Sequence, residues 1–294
     1  MFQRAMSQAD VLFHAAGWFE LGITDGPRMF EVNVTGTRNV LSMARTENVG
    51  RVVFTSTAGV FAPAPMGRPA KESSQVQVAL DDPYVKSKVE AHRLAVREME
   101  AGLPLTIVLP AAVFGPRDNG QLGRSLAFLV RGKLPRLPRG FGTNTWTHAS
   151  DIADGHLLAA TRGGPGEVYL LGDRVLPLSA FYEKAADAAG VAPPIANVPM
   201  GLARFAARFS ESRARLAGRT PLLSRASLNL AAIDLVVDAT KARTHLGWTP
   251  SPFETRIQEA MDWYTARFRD HRMPLPMKPA GGAGTEPGPA RERS

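Results

Sequence analysis

A tyrosine and a lysine lie one helical turn apart in the segment PYVKSKVE, residues 83–90. Tyr84 and Lys88 are separated by four positions, so a helix places both side chains on one face. Tyrosine has an ordinary pKa of about 10 and serves as a base at neutral pH only where a nearby cation stabilises the phenolate. The pair therefore predicts an acid/base catalyst, and the first turn of an ordinary surface helix is the alternative.

Three hydroxyl side chains end a β-branched run in the segment RVVFTST, residues 51–57. In enzymes with parallel sheets the chemistry lies just beyond the carboxyl ends of the strands. A hydroxyl from Thr55, Ser56 or Thr57 at such a strand end can hydrogen-bond the substrate oxygen that Tyr84 protonates or deprotonates. The alternative is that Ser56 and Thr57 simply end a strand.

Small residues mark the ends of two further candidate strands, in HAAG (14–17) and PAAVFGP (110–116). Small side chains let a flat cofactor approach the backbone at such positions. Asn33 lies on the inward face of the helix after HAAG, where a buried amide needs a hydrogen-bond partner. It either supports an active site or satisfies backbone groups only.

The elements that position these residues alternate between strand and helix, which is the pattern of βα units and a parallel sheet. Asp82 is placed to cap the helix that carries Tyr84, and Pro83 suits its first turn. Runs of β-branched residues predict strands at 9–17, 51–57, 104–115 and 167–172. Periodicity predicts helices at 27–47, 81–101, 122–132, 150–162, 178–189, about 200–217 and 252–269.

Length and composition bound the class of protein. The chain has 294 residues, of which 44% are hydrophobic, enough for a sizeable core in one large or two modest domains. It contains no cysteine, which excludes disulfides, thiolate nucleophiles and cysteine-based zinc sites and suits a cytoplasmic protein. The apolar run 11–19 is interrupted by His14, so a buried strand is predicted rather than a signal peptide or a membrane span. The histidines are scattered without carboxylate spacing, so no metal site is expected, and His14 and His148 are interpreted as structural.

The formal charge of +8 comes largely from arginines, several of which cluster between residues 204 and 225. Such a cluster can attract phosphates, anionic lipid or nucleic acid, or it can be a solvated helix face. No basic motif interleaved with aromatic residues accompanies it, so nucleic acid is not expected. In the same segment Leu202, Phe205, Ala206 and Phe209 form one stripe, which is typical of a helix that caps an apolar substrate or lies on a membrane. A lid or structural helix is the preferred interpretation.

Several segments follow one another in the order and spacing of one enzyme family: HAAG, NVTGTRNVL, VFTSTAGVF, YVKSK, LPAAVFGP, THASDIADGHLLA and KARTHLGWTP. On these segments the chain resembles, from about Ala9 to Arg267, the extended short-chain dehydrogenase/reductase family. That family holds nucleotide-sugar epimerases and dehydratases, dihydroflavonol-reductase-like enzymes and 3β-hydroxysteroid dehydrogenases. The resemblance implies an α/β fold with a Rossmann-like doubly wound parallel sheet and a smaller, mostly helical C-terminal substrate region.

The resemblance also implies catalytic roles for four residues. Tyr84 would be the acid/base on the substrate oxygen, while Lys88 would hold the nicotinamide ribose and lower the pKa of Tyr84. Thr57 matches the catalytic Ser/Thr position, where its hydroxyl contacts the substrate. Asn33 matches the helix asparagine that supports the active-site network.

The implied cofactor is NAD or NADP. Arg117, directly after VFGP, is either a contact for an anionic substrate group or a residue on the rim of the site. The cofactor is expected to contact Ala15, Ala16, Ser56, Tyr84, Lys88, Pro110 and Val113.

A member of this family should begin with a strand, a glycine-rich turn of the GxxGxxG type and a helix that faces the cofactor diphosphate. No such segment precedes residue 9 or occurs elsewhere, so an N-terminally truncated dinucleotide-binding domain is expected. Two explanations stay open: a longer native protein, or a fragment with little or no cofactor affinity. The expected division is a dinucleotide-binding part at 1–115 with strand 167–172 returning to it, a substrate-binding region at 116–272 and a Pro/Gly-rich disordered tail at 273–294.

The expected function is NAD(P)-dependent hydride transfer at a secondary alcohol or ketone, of the dihydroflavonol-reductase or 3β-hydroxysteroid type. Phe61 and Ala62 replace the tyrosine and glycine that often follow the Ser/Thr cluster, which argues against a standard sugar-nucleotide epimerase. A nucleotide-sugar epimerase/dehydratase and a non-catalytic or inactive fragment are the alternatives. A small-molecule substrate, a homodimer and a cytoplasmic location are expected, with no nucleic acid and no integral membrane span.

Overall fold

A four-stranded parallel sheet forms the centre of the fold. The computed structural model describes residues 6–7, 9–21, 25–134, 136–216, 221 and 223–269. The sheet consists of β1 (Val11–His14), β2 (Arg51–Thr55), β3 (Leu105–Pro110) and β7 (Val168–Leu171), in the order β1-β2-β3-β7. All neighbouring pairs are parallel, so the carboxyl ends of these strands meet at one edge. The return of the predicted strand 167–172 to this sheet is therefore observed.

The helices follow the predicted pattern closely. The first, α1, consists of Gly26–Phe30, a π-helical turn at Glu31–Thr35 and Gly36–Thr46. The others are α2 (Pro83–Glu100), α3 (Gln121–Val130), α4 (Ala149–Thr161), α5 (Leu178–Ala189), α6 (Met200–Leu216), α7 (Arg225–Ala231) and α8 (Phe253–Phe268). Within the described ranges, none of the helices is long and apolar enough to cross a bilayer.

Successive residues of β2 pack into two different layers. Val52 and Phe54 belong to an apolar cluster shared with α1 and α2, whereas Val53 belongs to a second cluster shared with α4 and Trp248. Because side chains alternate along a strand, the sheet is covered by helices on both faces. The same alternation continues at Thr55 and Ser56, so their side chains point to opposite faces of the sheet and contact different helices.

A second region follows the central sheet. It contains a three-stranded sheet of β4 (Ala112–Phe114), β6 (Thr143–His148) and β8 (Arg174–Pro177), and a short pair of β5 (Leu137–Pro138) and β9 (Ala196–Val198). Apolar residues of α3, α5 and α8 pack with these strands in a separate cluster. The C-terminal region thus contains more strand than predicted. The proposed domain boundary after residue 115 stays a prediction, and the predicted tail at 273–294 lies outside the described residues.

The single strand predicted at 104–115 is wrong, because the chain forms two strands there. β3 ends at Pro110, whose nitrogen carries no hydrogen for a further ladder bond. After Ala111 has donated to the Leu171 carbonyl over 2.9 Å, the chain enters β4, which pairs with β6 in the other sheet. This change of sheet directs the following loop towards the carboxyl edge of the central sheet.

Candidate active site

The three hydroxyl residues that follow Phe54 face three different partners. The Thr55 hydroxyl lies 2.8 Å from Nε2 of His156 on α4, and the buried Ser56 hydroxyl lies 3.0 Å from Nδ1 of His92 on α2. Thr57 begins a 3-10 turn, in which its Oγ1 accepts a hydrogen bond from the Gly59 amide over 3.2 Å. The strand end is thus held by a histidine from each covering layer, while Thr57 remains directed towards the start of α2.

Tyr84 occupies the first turn of α2, where it meets Thr57. The Asp82 carboxylate accepts the Tyr84 amide hydrogen over 2.9 Å and so caps the helix. The Tyr84 ring contacts Phe19 edge to face, with 4.8 Å between the ring centroids. Its hydroxyl lies close enough to the Thr57 side chain for that side chain to lower its pKa. The structure therefore brings together the phenol and the strand-end hydroxyl that the sequence pattern pairs.

Burial is the main influence on the acidity of Tyr84. It raises the pKa of the phenol above its ordinary value, and the Asp82 charge acts in the same direction, while the Thr57 hydrogen bond lowers the pKa in part. The expected lowering of the Tyr84 pKa by Lys88 is not observed, because burial instead raises this pKa. At neutral pH the phenol keeps its proton, which makes it a proton donor.

Lys88 lies on the same side of α2 and reaches the carboxyl end of β2, next to the segment that follows β1. Its ammonium donates to the Thr55 carbonyl over 3.2 Å and lies 5.7 Å from the centroid of the Phe54 ring. Burial lowers the pKa of Lys88 to about 8, so the side chain is still largely protonated at neutral pH. A Cβ on Gly17 would lie 4.0 Å from the ammonium nitrogen. The cation thus lies beside the HAAG segment, at the carboxyl end of β1.

Asn33 connects the segment after β1 to α2. Its Oδ1 accepts from the Trp18 amide over 2.6 Å, and its Nδ2 donates to the Trp18 carbonyl over 3.0 Å and to the Ser87 hydroxyl over 2.9 Å. Ser87 in turn donates to the Tyr84 carbonyl over 2.8 Å. Asn33 is buried in the π-helical turn of α1, a distortion that is frequent at functional sites. Asn33 therefore hydrogen-bonds both backbone and side-chain groups, and through Ser87 it stabilises the first turn of α2.

Most of the predicted cofactor-lining residues lie at or just beyond strand ends of the central sheet, whereas Val113 belongs to the second sheet. Ala15 and Ala16 are exposed directly after β1, and Pro110 is buried at the end of β3. Val113 is 40% exposed in β4. Ser56 is buried with its hydroxyl on His92, which leaves its backbone rather than its side chain for a neighbouring group.

The loop after β4 is fixed by hydrogen bonds from two sides. The Asp118 carboxylate accepts from the amides of Gly120 over 2.6 Å and Gly123 over 2.8 Å. The Tyr264 hydroxyl of α8 interacts with the carbonyls of Gly115 and Asp118, each at 3.3 Å. Arg117 stands exposed between them with a φ of 64°, unusual for a residue other than glycine. Its side chain therefore lies on the rim of this loop.

Comparison with known proteins shows which family this chain belongs to. The family model "NAD dependent epimerase/dehydratase family" matches residues 2–172. The chain belongs to this family. The predictions of an extended short-chain dehydrogenase/reductase, of a Rossmann-like fold and of an NAD(P)-dependent enzyme are thereby confirmed.

Individual known proteins are similar to this chain over most of its length. A ketoreductase of Stigmatella aurantiaca, which acts on 4-hydroxy-2-methyl-3-oxo-4-farnesyl-3,4-dihydroquinoline-1-oxide, is 30% identical over 84% of this chain and 74% of its own length. The crystal structure of gox2253 has a TM-score of 0.75 and 29% identity, covering 91% of this chain and 82% of its own. The UDP-glucose 4-epimerase of Thermus thermophilus, solved with NAD, has a TM-score of 0.69 and 24% identity, covering 89% of this chain and 80% of its own.

The edge of the sheet suits the nicotinamide cofactor of the epimerase/dehydratase family. At Gly17 the absence of a side chain keeps the space between the Asn33 amide and the Lys88 ammonium open, since a Cβ there would lie 3.4 Å from Asn33 Oδ1. Exposed Ala15 and Ala16 add no bulk to this space. The residues present therefore fit the ribose and nicotinamide part of such a cofactor.

Sequence reasoning missed several residues around this family site. His92 is spaced one turn beyond Lys88 on α2, so helical periodicity contained a signal for it, whereas His156 lies 101 residues from its partner Thr55 and no local pattern indicates the pair. A small cavity beside the Tyr84–Phe19 contact was also missed. Its lining includes Phe19, Glu20, Leu21, Gly120 and Arg124.

His14 and His148 each have a hydrogen-bond partner, whereas the guanidinium of the buried Arg124 is incompletely satisfied. His14 Nε2 lies 2.9 Å from the Thr37 hydroxyl, and His148 Nδ1 accepts the Ser150 amide hydrogen over 3.2 Å at the start of α4. Arg124 is buried on α3, where burial lowers its pKa while Glu20 and Asp118 act in the opposite direction. Its Nε has no hydrogen-bond partner in the described part of the chain. No group of three or more metal-ligating side chains occurs among the described residues.

Proposed function

We propose that this chain is an NAD(P)-dependent reductase or dehydrogenase that interconverts a ketone and a secondary alcohol, with Tyr84 as the acid/base. The observation that carries the proposal is that the half-buried phenol of Tyr84, in the first turn of α2, lies beside the Thr57 side chain just beyond the carboxyl end of β2. A carbonyl oxygen placed between these two groups can accept a hydrogen bond from each of them. The similarity to a ketoreductase over 84% of the chain supports the same reaction type.

Tyr84, Lys88 and Thr57 would each have a separate role in carbonyl reduction. The chemistry that a nicotinamide cofactor would supply here, when bound, is hydride transfer to the carbonyl carbon. Tyr84 gives its proton to the carbonyl oxygen as the carbon–oxygen π bond breaks, so the product is an alcohol and the phenol becomes a phenolate. The Lys88 ammonium, one turn along α2, stabilises that phenolate, and Thr57 holds the oxygen in place. Alcohol oxidation uses the same groups in reverse.

The same residues account for cofactor contacts. Lys88 would hold the ribose hydroxyls beside Gly17, since its ammonium lies between the carboxyl end of β2 and the segment that follows β1. Ala15, Ala16, Pro110 and Val113 would line the remainder, and Ser56 would contribute its backbone. Asn33 supports the start of α2 through Ser87 rather than contacting substrate. The lack of cysteine supports a cytoplasmic location for this reaction.

A nucleotide-sugar epimerase or dehydratase is the second candidate. The fold similarity to the UDP-glucose 4-epimerase and the buried Arg124 beside the cavity favour it, because a guanidinium is well suited to a phosphate. In that reaction Tyr84 would take the proton of a sugar hydroxyl. Arg117 on the rim would contact the anionic part of such a substrate.

Turnover measurements with Tyr84→Phe test the proposal. The wild-type chain is assayed with NADH and NADPH on apolar ketones and, separately, on sugar nucleotides. Tyr84→Phe keeps the ring against Phe19 but removes the proton, so kcat should fall by about 10²- to 10⁴-fold. Tyr182→Phe, a buried tyrosine on α5, is the matched control and should keep its kcat.

The outcomes distinguish the candidates. Ketone-dependent oxidation of the reduced cofactor that is lost in Tyr84→Phe supports the reductase. Conversion of sugar nucleotides without ketone turnover replaces it with the epimerase or dehydratase. Cofactor binding with equal turnover in wild type and Tyr84→Phe would overturn the assigned role, and cofactor binding without turnover of either substrate class would indicate a non-catalytic member.

A further inference from the structure

Helix α6 has two apolar faces, of which only one packs on the protein. Ala203 and Ala207 are buried against Leu228 of α7. On the other side, four large apolar side chains are among the most exposed of the described residues: Leu202 at 60%, Phe205 at 72%, Phe209 at 66% and Leu216 at 91%. Exposing aromatic rings of this size to water is unfavourable. The outer face is therefore unlike an ordinary solvated helix face.

The spacing of these side chains makes them one stripe. Phe205, Phe209 and Leu216 follow Leu202 by three, seven and fourteen positions, which places all four within one side of a helix. The stripe points away from Ala203 and Ala207. Exposed apolar residues on other helices, such as Leu157 on α4, stand singly. A contiguous stripe of this kind marks a surface that binds an apolar partner.

Arginines border the stripe on both sides. By helical spacing Arg204 and Arg208 lie along one border, and Arg213 lies along the other, all three exposed. The acidic Glu211 is ion-paired with Arg225 over 3.0 Å, so its charge is compensated. The helix sequence contains four arginines and one glutamate, within a chain of net charge +8. The partner of this face should therefore combine an apolar interior with negative charge at its surface.

We propose that α6 lies in the surface of an anionic lipid bilayer and attaches the protein to it peripherally. Phe205 and Phe209 enter the boundary between headgroups and acyl chains, and Arg204, Arg208 and Arg213 contact lipid phosphates. The helix lies parallel to the surface, because its buried face stays packed on α7. A second copy of the chain would bring two arginine-bordered helices together and so face charge repulsion. The proposal is independent of the reaction that the active site catalyses.

Co-sedimentation with vesicles tests the apolar part of the contact. The full chain should bind vesicles of phosphatidylcholine mixed with phosphatidylglycerol, and salt should weaken the binding. Phe205→Ser with Phe209→Ser should lower the partition coefficient by about tenfold or more, because both rings leave the lipid. Leu157→Ser removes an equally exposed apolar side chain on α4, at 57%, and should leave the partition coefficient unchanged.

Charge variants test the proposed contact between the arginines and the lipid phosphates. Arg208→Gln with Arg213→Gln should reduce binding to the anionic vesicles by about tenfold. Arg38→Gln with Arg68→Gln removes the same charge from exposed positions on α1 and in the loop after β2, and it should have a much smaller effect. Vesicles of phosphatidylcholine alone should bind the wild type about tenfold more weakly than the anionic vesicles.

Two outcomes would overturn the proposal. One is equal binding of the wild type and the Phe205→Ser, Phe209→Ser variant to the anionic vesicles, or no binding of either. The other is a dimer, detected by sedimentation velocity without lipid, that dissociates in this variant while vesicle binding is absent. The second outcome would show that the stripe joins two copies of the chain.

Discussion

The Nδ1 atom of His92 lies 3.0 Å from the hydroxyl of Ser56, the residue directly before Thr57. Both side chains are buried, and burial together with the Lys88 charge lowers the pKa of His92 to about 4. The imidazole is therefore neutral at physiological pH and fixes the strand end from the α2 side. His156 does the same for Thr55 from the α4 side, over 2.8 Å. Thr57 is thus positioned by its neighbours.

Removing the His92 contact should lower kcat more than it changes the KM for the cofactor. His92→Leu leaves the Ser56 hydroxyl without this partner, and a shift of Thr57 by a fraction of an ångström should reduce kcat by about ten- to a hundredfold. His92→Gln, which can still hydrogen-bond Ser56, should restore most of the lost kcat. Steady-state kinetics of the reductase reaction measures both variants.

A buried threonine elsewhere in the sheet provides the matched control for this prediction. Thr106 donates to the Gly164 carbonyl over 2.9 Å in the first half of β3, away from the site. Thr106→Val removes a buried hydrogen bond of similar cost, roughly 1 to 3 kcal/mol, without touching Thr57. An equal fall in kcat for Thr106→Val and His92→Leu would show that His92 acts through stability alone.

Acid should destabilise the protein through its buried imidazoles. The pKa values of His14 and His92 are lowered to about 4 from an ordinary 6.5, mainly by burial. The unfolded chain therefore binds protons more readily than the folded chain between these values, so the free energy of unfolding falls as pH drops from about 6.5 to about 4. Each histidine should account for about 1 to 3 kcal/mol of that loss.

Urea unfolding at a series of pH values measures this loss. His92→Gln should flatten the dependence by the share of one histidine. His245 is exposed, so His245→Gln should leave the curve unchanged. A pH dependence that is the same in His92→Gln and in the wild type would contradict the prediction.

Activity should decline in alkali because Lys88 loses its charge. Burial lowers the pKa of Lys88 to about 8, so the ammonium that would stabilise the phenolate in the proposed reaction is progressively neutralised above this pH. The value of kcat/KM reports the ionisation of free enzyme and should therefore fall above about pH 8. Lys88→Arg keeps its charge at all accessible pH values and should lose this alkaline decline, even at lower absolute activity. A decline of the same midpoint in Lys88→Arg would exclude Lys88 as its origin.

Local patterns were sufficient for the parts of the site that lie on one element. Helical periodicity predicted that Tyr84 and Lys88 share a face of α2, and the Asp82 cap is where the sequence placed it. Strands β2, β3 and β7 of the central sheet are mainly buried runs rich in apolar residues, which is the pattern expected of parallel strands, whereas Val11 and Phe13 of β1 are exposed. The proximity of Thr57 to Tyr84 was inferred from the rule that strand ends carry the chemistry.

Long-range hydrogen bonds explain what local patterns missed. β6 has the polar sequence TNTWTH, which lacks the apolar alternation of a strand. Its buried hydroxyls are satisfied from far along the chain, since Thr145 accepts from the Val237 amide over 3.0 Å and Thr147 from the Asp173 amide over 3.1 Å. The hydrogen bonds between His156 and Thr55 and between His92 and Ser56 are long-range contacts of the same kind. Such residues look polar and unstructured until their distant partners are known.

Breaking the ion pair between Asp151 and Arg256 should destabilise the fold more than breaking a surface pair. Asp151 is buried at the start of α4, accepts from Arg256 of α8 over 2.7 Å and also accepts the Ser251 amide hydrogen over 3.2 Å. Asp151→Ala leaves the guanidinium and the amide without this acceptor and should cost about 3 kcal/mol in the free energy of unfolding. Glu254→Ala breaks an exposed pair with Arg174, at 3.4 Å, and should cost less than about 1 kcal/mol. Urea unfolding of both variants measures the difference, and equal costs would show that the buried pair does not hold α8 to α4.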